Sequence, residues 1–289
     1  MSKPSILVQL DTDPQPSVFD AVVAVDAGVG HLFRHGSVTA EDVRDLVYGA
    51  LFTRGPADLH QTALFVGGSD VAAGEAVLKA VKATFFGPFR VSVLFDANGC
   101  NTTAAAAVLA AVEGAGGSLQ GVAAAVLGGT GPVGQRVARL LLRLGARVVV
   151  GSRSLERAEA VAAALRAATG GACEAHSTSK PDELAHALQG VAVVVAAGAA
   201  KALLLPAVVR SALPELKVAI DLNAVPPLGI EGVEATDKRK ERNGVLAWGA
   251  LGVGGTKMKI HKKAVQELFT SNDKALDAEE VLEIGRSLG

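Results

Sequence analysis

Gly129, Gly131 and Gly134 form a Gly-x-Gly-x-x-Gly arrangement directly after an apolar β-type run at 122–128 and before a helical pattern at 132–144. That context makes the motif a dinucleotide fingerprint. Gly129 permits the tight turn, Gly131 lets the backbone approach a pyrophosphate, and Gly134 lets helix and strand pack closely. Thr130, Pro132 and Val133 complete the turn, and Pro132 suits the first helical position because no intrahelical donor is lost there. Free N–H groups and the positive end of the helix dipole are the expected phosphate ligands. A glycine-rich turn with no ligand is the bland alternative, and the flanking strand and helix weigh against it.

The next strand bears on the choice of dinucleotide. An NAD site usually presents Asp or Glu there, roughly 20 residues downstream, to the ribose 2′-hydroxyl. Here Arg147-Val-Val-Val150 runs into Gly151-Ser152-Arg153-Ser154, with no acid. Arg153 flanked by Ser152 and Ser154 suits a 2′-phosphate, although either serine also serves as a helix cap. NADP is expected over NAD, with NAD use left open. Ala197 and Gly198, after a strand at 191–196, offer an unobstructed wall to ribose and nicotinamide. Asn223, after a strand at 217–221, reads equally as a nicotinamide contact and as a turn residue before Pro226-Pro227.

The elements that must position these residues follow from the periodicity. Strands are expected at 5–10, 62–66 and 90–95, with helices at 17–27, 39–51, 70–83 and 101–113. The stretch 113–118 looks like a linker, after which the pattern restarts with strands at 122–128, 146–150, 191–196 and 217–221. Helices at 132–144, 154–168 and 181–189 accompany them. The fold class is therefore α/β: an N-terminal parallel-sheet domain, 1–115, and a Rossmann-type domain, 116–269, with a cleft expected between them. Residues 277–288 show helical spacing of Val281, Leu282, Ile284 and Leu288, and the segment 270–289 is expected to pack back on the first domain.

Composition excludes several classes. The 28 Lys+Arg and 29 Asp+Glu of the 289 residues nearly cancel, so neither nucleic acid nor an acidic membrane is an expected partner. Hydrophobic residues at 49% against 20% charged exclude a disordered chain. Cys100 and Cys173 make neither a disulfide framework nor a C-x-x-C metal site. The apolar stretch 191–209 approaches bilayer length, but Gly198, Lys201 and Pro206 interrupt it, and a buried strand with a short helix is expected instead. The first apolar run, Ile6–Leu10, meets Asp11 and Asp13 too soon for a signal peptide. A cytoplasmic protein is expected.

Several motifs outside the glycine turn make the likeness specific. They are Asp11-Thr-Asp13-Pro-Gln-Pro-Ser17-Val-Phe19-Asp20, Phe65-Val-Gly67-Gly68-Ser-Asp70, Phe85-Phe-Gly-Pro-Phe-Arg90 and Asp96-Ala-Asn98-Gly99-Cys-Asn101-Thr102-Thr103. Asn223-Ala-Val-Pro-Pro-Leu-Gly229 and Gly249-Ala-Leu-Gly-Val-Gly-Gly255 extend it almost end to end. With these motifs the chain resembles the bacterial NAD(P)-dependent methylene-tetrahydromethanopterin dehydrogenases of one-carbon metabolism in methylotrophs. The resemblance implies hydride transfer from a methylene group bridging two nitrogens of a reduced pterin to NADP⁺ or NAD⁺. It further implies a pterin domain ahead of the cofactor domain and a homo-oligomer, with a trimer the expected form.

Strand-end positions then nominate the pterin contacts. Asp13, Ser17 and Asp20 follow the first strand, although Ser17 and Asp20 also fit a helix cap. Gly67 and Gly68 follow the second and either admit a flat ring or turn the chain. Asn98, Asn101 and Thr102 follow the third and read equally as pterin contacts and as an Asn-Gly turn with its cap. Lys257 and His261 share a face of a late helix, and His261 is a further candidate substrate contact. Lys257 is the candidate catalytic residue, orienting a pterin or nicotinamide carbonyl; a solvated basic face with Lys262 and Lys263 is its alternative. Two rivals share the cofactor half: a methylene-tetrahydrofolate or shikimate-type dehydrogenase, and a non-catalytic nucleotide-binding protein.

Overall fold

The computed structural model describes residues 3–289. The chain divides into two compact units, one comprising residues up to Thr102 together with Met258–Gly289, the other Thr103–Lys257.

In the first unit the order is β1 (Ile6–Asp11), α1 (Val18–Asp26), β2 (His31–His35), α2 (Val43–Phe52), β3 (Thr62–Gly67), α3 (Val71–Thr84) and β4 (Ser92–Phe95). Helix α4 (Cys100–Gly114) then carries the chain into the second unit. There follow β5 (Ala123–Leu127), α5 (Pro132–Arg143), β6 (Arg147–Ser152), α6 (Leu155–Thr169), β7 (Cys173–Ser177), α7 (Pro181–Ala187) and β8 (Val193–Ala196). The unit continues with α8 (Ala207–Arg210), β9 (Val218–Asp221), β10 (Lys238–Arg242) and β11 (Val245–Trp248). Helix α9 (Ala250–Glu267) returns to the first unit, which ends with β12 (Ala275–Leu276) and α10 (Ala278–Arg286). The division thus falls inside two continuous helices, not in the 113–118 stretch or near residue 270, because α4 and α9 each run unbroken through it.

The first sheet has the order β12-β4-β3-β1-β2 and every pairing in it is parallel. Chain order reverses at β1, whose neighbours are β2 and β3, so the crevice beyond a sheet of this kind opens at the carboxyl ends of β1 and β3. Leu7, Leu10, Leu64, Phe65, Val93 and Leu94 are buried on it, as near-continuous apolar runs in a doubly covered parallel sheet should be. β12 pairs with β4 through Ala275–Val93 and Leu276–Leu94, and Asp277 caps α10 with a capping box closed by Glu280.

The second sheet has the order β10-β11-β9-β8-β5-β6-β7, parallel except for the β10–β11 hairpin. Its order reverses between β5 and β8, the switch point of a doubly wound sheet. The stretch 191–209 resolves into β8, a loop and α8. Among the described residues no helix is long and apolar enough to cross a membrane.

Five strands escape the periodicity, the two-residue β12 among them. β2, β7 and β10 are edge strands; β2 and β10 are largely exposed, β7 (Cys-Glu-Ala-His-Ser) is half-buried and mixed in polarity, and β10 reads Lys-Arg-Lys-Glu-Arg. Charge on an edge blocks further pairing and removes the apolar alternation by which a strand is read. β11 is only four residues long and inherits its place from that hairpin. Helix α2 begins at Val43, not at 39, because Thr39–Asp42 forms a turn in which the Asp42 carboxylate accepts from both the N–H and the hydroxyl of Thr39.

Candidate active site

In the second unit the β5–α5 turn lies where the switch-point rule puts a ligand. Gly128 has φ +72°, and a Cβ there would lie 2.6 Å from Gly198 Cα, so the loops after β5 and β8 touch backbone to backbone. A Cβ on Gly129 would lie 2.8 Å from Val126 O, and one on Gly134 would lie 2.6 Å from Gly128 O. These positions are glycine for packing. Gly131 differs: its nearest neighbour would be 3.5 Å away, leaving the backbone open to an approaching group. Pro132 opens α5 and Gly131 is its N-cap without a side-chain bond, so the first N–H groups of α5 remain to be satisfied by a ligand or water.

These loops wall a cavity of about 590 Å³. Gly128, Thr130 and Gly131 stand on one side, Ala197, Gly198 and Leu204 on another, and Ser152, Arg153, Ser154, Arg157, Thr178 and Ser179 at the far end. Val133 is half-buried at the start of α5. Ser152 is buried; its Oγ accepts from the Ser154 N–H at 3.2 Å and lies 3.4 Å from Thr130 Oγ1. Ser154 caps α6 by accepting from the Arg157 N–H. Both serines therefore hold the loop that presents Arg153, which is exposed.

Arg157, Thr178 and Ser179 were not among the residues the motifs nominate. Arg157 follows Arg153 by four residues and lies in the first turn of α6. Thr178 and Ser179 follow the unread edge strand β7. Ser177 and Ser179 both donate to Glu183 Oε2 from α7, and those two hydroxyls hold the Glu183 carboxyl below its usual range. Among the described residues no carboxylate lines the cavity itself.

Asn223 resolves toward its turn reading. Its Oδ1 accepts from the Val225 N–H at 3.0 Å and its Nδ2 donates to Pro227 O at 3.2 Å, which commits both ends to its own loop. Asp221 organises the same loop by accepting from the N–H groups of Asn223 and Ile230, and burial pushes its carboxyl above the ordinary value.

In the first unit the nominated residues gather at the ends of β1, β3 and β4, where most of their polar atoms are already engaged. Buried Asp11 accepts from the Asp13 and Ser17 N–H groups and from Gln9 Nε2, each at 3.0 Å, and so shapes the 12–17 loop. Asp13 accepts from the N–H and hydroxyl of Ser69, tying the β1 loop to the β3 loop. Ser17 is the N-cap of α1. Gly67 and Gly68 are buried and packed where a side chain would be: a Cβ on Gly67 would lie 2.9 Å from the Phe65 ring, and one on Gly68 would lie 1.9 Å from Thr12 Oγ1.

Asn101 and Thr102, expected at the pterin edge, are fully buried. Asp96 accepts from both their N–H groups and from Thr102 Oγ1 at 2.6 Å, while Asn101 Nδ2 donates to Phe95 O and Asp277 Oδ1. They shape the loop in place of meeting a ligand. Asn98 is exposed, at φ +52°, with its N–H bonded to Gly68 O at 2.7 Å. It remains a contact candidate.

His261 is buried too. Its ring stacks on Phe65 at 5.7 Å and its Nε2 lies 4.0 Å from Asp20 Oδ1. The expectation that it meets substrate gives way to a place under the β3 end. Lys257, one turn earlier on α9, is half-buried. Among the described residues no group of three His, Cys, Asp or Glu is placed to hold a metal ion.

A doubly wound sheet with a glycine turn at its switch point and an arginine-bearing cavity beside it defines a dinucleotide-binding α/β protein. Solved structures share the architecture. Shikimate 5-dehydrogenase from Listeria monocytogenes superposes with a TM-score of 0.56 at 14% identity, covering 99% of this chain and 96% of that one. Ornithine carbamoyltransferase from Pyrococcus furiosus gives 0.57 at 13%, covering 93% and 84%. At such identities the likeness is one of fold.

Sequence relatives are closer. Residues 18–98 match the family model described as methylene-tetrahydromethanopterin dehydrogenase, N-terminal, and residues 123–224 match NADP oxidoreductase, coenzyme F420-dependent. The Bifunctional protein MdtA of Methylorubrum extorquens is 46% identical over 288 residues, covering 100% of both chains. The NAD(P)-dependent methylenetetrahydromethanopterin dehydrogenase of the same organism is 31% identical over 277 residues, 93% of each. The chain belongs to this methylene-tetrahydromethanopterin dehydrogenase family.

Proposed function

We propose that the chain is an oxidoreductase that transfers a hydride from methylene-tetrahydromethanopterin to NADP⁺, giving the methenyl form. The observation that carries the cofactor half of this reading is the cavity joining the glycine turn to Arg153 and Arg157 with no carboxylate on its wall. The dinucleotide, when bound, supplies the hydride acceptor. Gly131 and the start of α5 hold its pyrophosphate. Arg153 and Arg157 bind the 2′-phosphate through charge-assisted hydrogen bonds, and Ala197 and Gly198 leave room for the nicotinamide end. Family membership and the match of residues 18–98 support the pterin as donor.

The chemistry makes modest demands on the protein. Loss of hydride from a carbon between two nitrogens leaves a cation that both nitrogens stabilise, and no proton leaves that carbon. The residues must position donor and acceptor and tolerate developing positive charge, and a general base has no task. Asn98 remains as a contact to the pterin edge, with Lys257 orienting a carbonyl.

The protein is taken to work in the cytoplasm as a homo-oligomer, which light scattering tests directly. For the reaction, NADP⁺ reduction is measured with the methylene forms of tetrahydromethanopterin and tetrahydrofolate side by side. Turnover with the first supports the reading. Turnover with the second alone would move the chain to a folate substrate, and none with either would remove the reading.

A further inference from the structure

Glu183 sits in the first turn of α7 and does not line the cofactor cavity, yet it dictates what the cavity wall offers. Its Oε2 is 2.5 Å from Ser177 Oγ and 2.7 Å from Ser179 Oγ. A carboxylate only accepts, so both hydroxyl protons point to it. Lys180 Nζ, 3.7 Å from Oε1, further favours the ionised form. Ser179, which does line the cavity beside Arg153, Arg157 and Thr178, therefore turns lone pairs toward the ligand.

Those lone pairs distinguish the two dinucleotides. A ribose 2′-hydroxyl donates a proton and is welcomed. A 2′-phosphate offers oxygens and negative charge, so it is repelled by Ser179 and by the carboxylate behind it, while the two arginines attract it. We propose that Glu183 is a positioning residue that keeps NAD⁺ acceptable to a pocket whose arginines select NADP⁺, by drawing the Ser179 proton away from the cavity. This rests on the dinucleotide reading above and adds a specificity determinant to it.

The test is calorimetric titration of NADP⁺ and NAD⁺ into the full-length chain and its Glu183→Ala, Ser179→Ala and Ser177→Ala variants, with melting temperatures as a folding check. In Glu183→Ala the Ser179 proton is free to turn to the cavity. NADP⁺ then binds more tightly and NAD⁺ more weakly, and the ratio of their dissociation constants shifts toward NADP⁺ by roughly tenfold, the factor of one hydrogen bond to a charged group. Ser179→Ala weakens NAD⁺ and, with the repelling lone pairs gone, tightens NADP⁺. Ser177 Oγ also lies 3.1 Å from Ser179 Oγ and accepts the Ser179 N–H, but Ser177→Ala leaves Glu183 Oε2 bonded to Ser179, so the ratio is unchanged.

If Glu183→Ala fails to fold, Ser179→Ala carries the test. A ratio that stays within about twofold of the parent in Glu183→Ala or Ser179→Ala, whichever folds, or shifts toward NAD⁺ there, overturns the proposal. Should the parent chain bind neither dinucleotide, the underlying reading fails and this proposal falls with it. That result is visible before any variant is compared.

Discussion

Thr12 occupies the space that a side chain at Gly68 would need, with its Oγ1 1.9 Å from where that Cβ would lie. Gly68 also has φ +114°, outside the range that L side chains favour. Gly68 is therefore explained by packing of the β1 loop against the β3 loop. Gly68→Ala should lower stability by at least about 1–2 kcal/mol from the backbone alone, with loss of activity following loss of folded protein. Denaturant unfolding checks this: a Gly68→Ala variant as stable as its parent but unable to bind the pterin would return Gly68 to the ligand.

Arg153 and Arg157 should share the 2′-phosphate. Arg153→Ala is expected to weaken NADP⁺ binding by about 1.5–3 kcal/mol and leave NAD⁺ binding nearly unchanged; Arg157→Ala should act in the same direction. Titration with each dinucleotide separates a phosphate contact from a structural role, which would cost both ligands alike.

Thr102 and Asn98 now part company. Thr102→Val removes a buried donor from the Asp96 carboxylate and should cost about 1–3 kcal/mol of stability, whatever it does to activity. Asn98→Ala, at an exposed position, should raise KM for the pterin with little change in melting temperature. Asn98→Gly relieves the positive φ and serves as its control. Equal KM effects from Thr102→Val and Asn98→Ala, at unchanged stability, would restore Thr102 to the ligand face.

The glycine turn and its arginine were legible because their spacing encodes backbone geometry directly: Gly131 is open and Gly134 is packed, as the motif requires. The central strands were legible as apolar runs. Edge strands β2, β7 and β10 were not, since polar and charged residues break their pattern, and with β7 went Thr178, Ser179 and the reach of Glu183. Strand-end polar residues were found but not their duties. Spacing says that Asn101 and Thr102 follow β4, whereas only the fold says that Asp96 takes up their N–H groups and that Asp277, 176 residues on from Asn101, accepts from its amide.

Asp237 supplies a pH signature for the second unit. Burial raises its pKa, but Arg242, bonded through Nε at 3.0 Å and Nη2 at 2.7 Å, and the Glu234 N–H outweigh that and hold the carboxyl below its ordinary value. A folded-state value below the unfolded one, about 3.9, means that the contribution is complete above that pH and is lost as pH falls through the folded value. Urea midpoints should fall as the solution is acidified below about pH 4, and Asp237→Asn should reduce that dependence while lowering stability at neutral pH. An unchanged acid limb in Asp237→Asn would assign it to other carboxylates.

Hydride transfer itself should be nearly independent of pH. The departing group is a hydride and the cation left behind is stabilised by its own nitrogens, so no side chain need accept a proton. The structure sharpens the test, because His261 is stacked on Phe65 and buried. His261→Ala would open a hole beneath β3, whereas His261→Phe keeps a ring there and removes only the imidazole. His261→Phe should therefore retain most single-turnover activity. Lys257→Ala should do more harm if Lys257 orients a carbonyl, since small displacements of reacting atoms cost about 100-fold. That loss should be equal at every pH. A steep pH–rate transition present in the parent and absent from either variant would identify a true general base, and the positioning account of catalysis would be wrong.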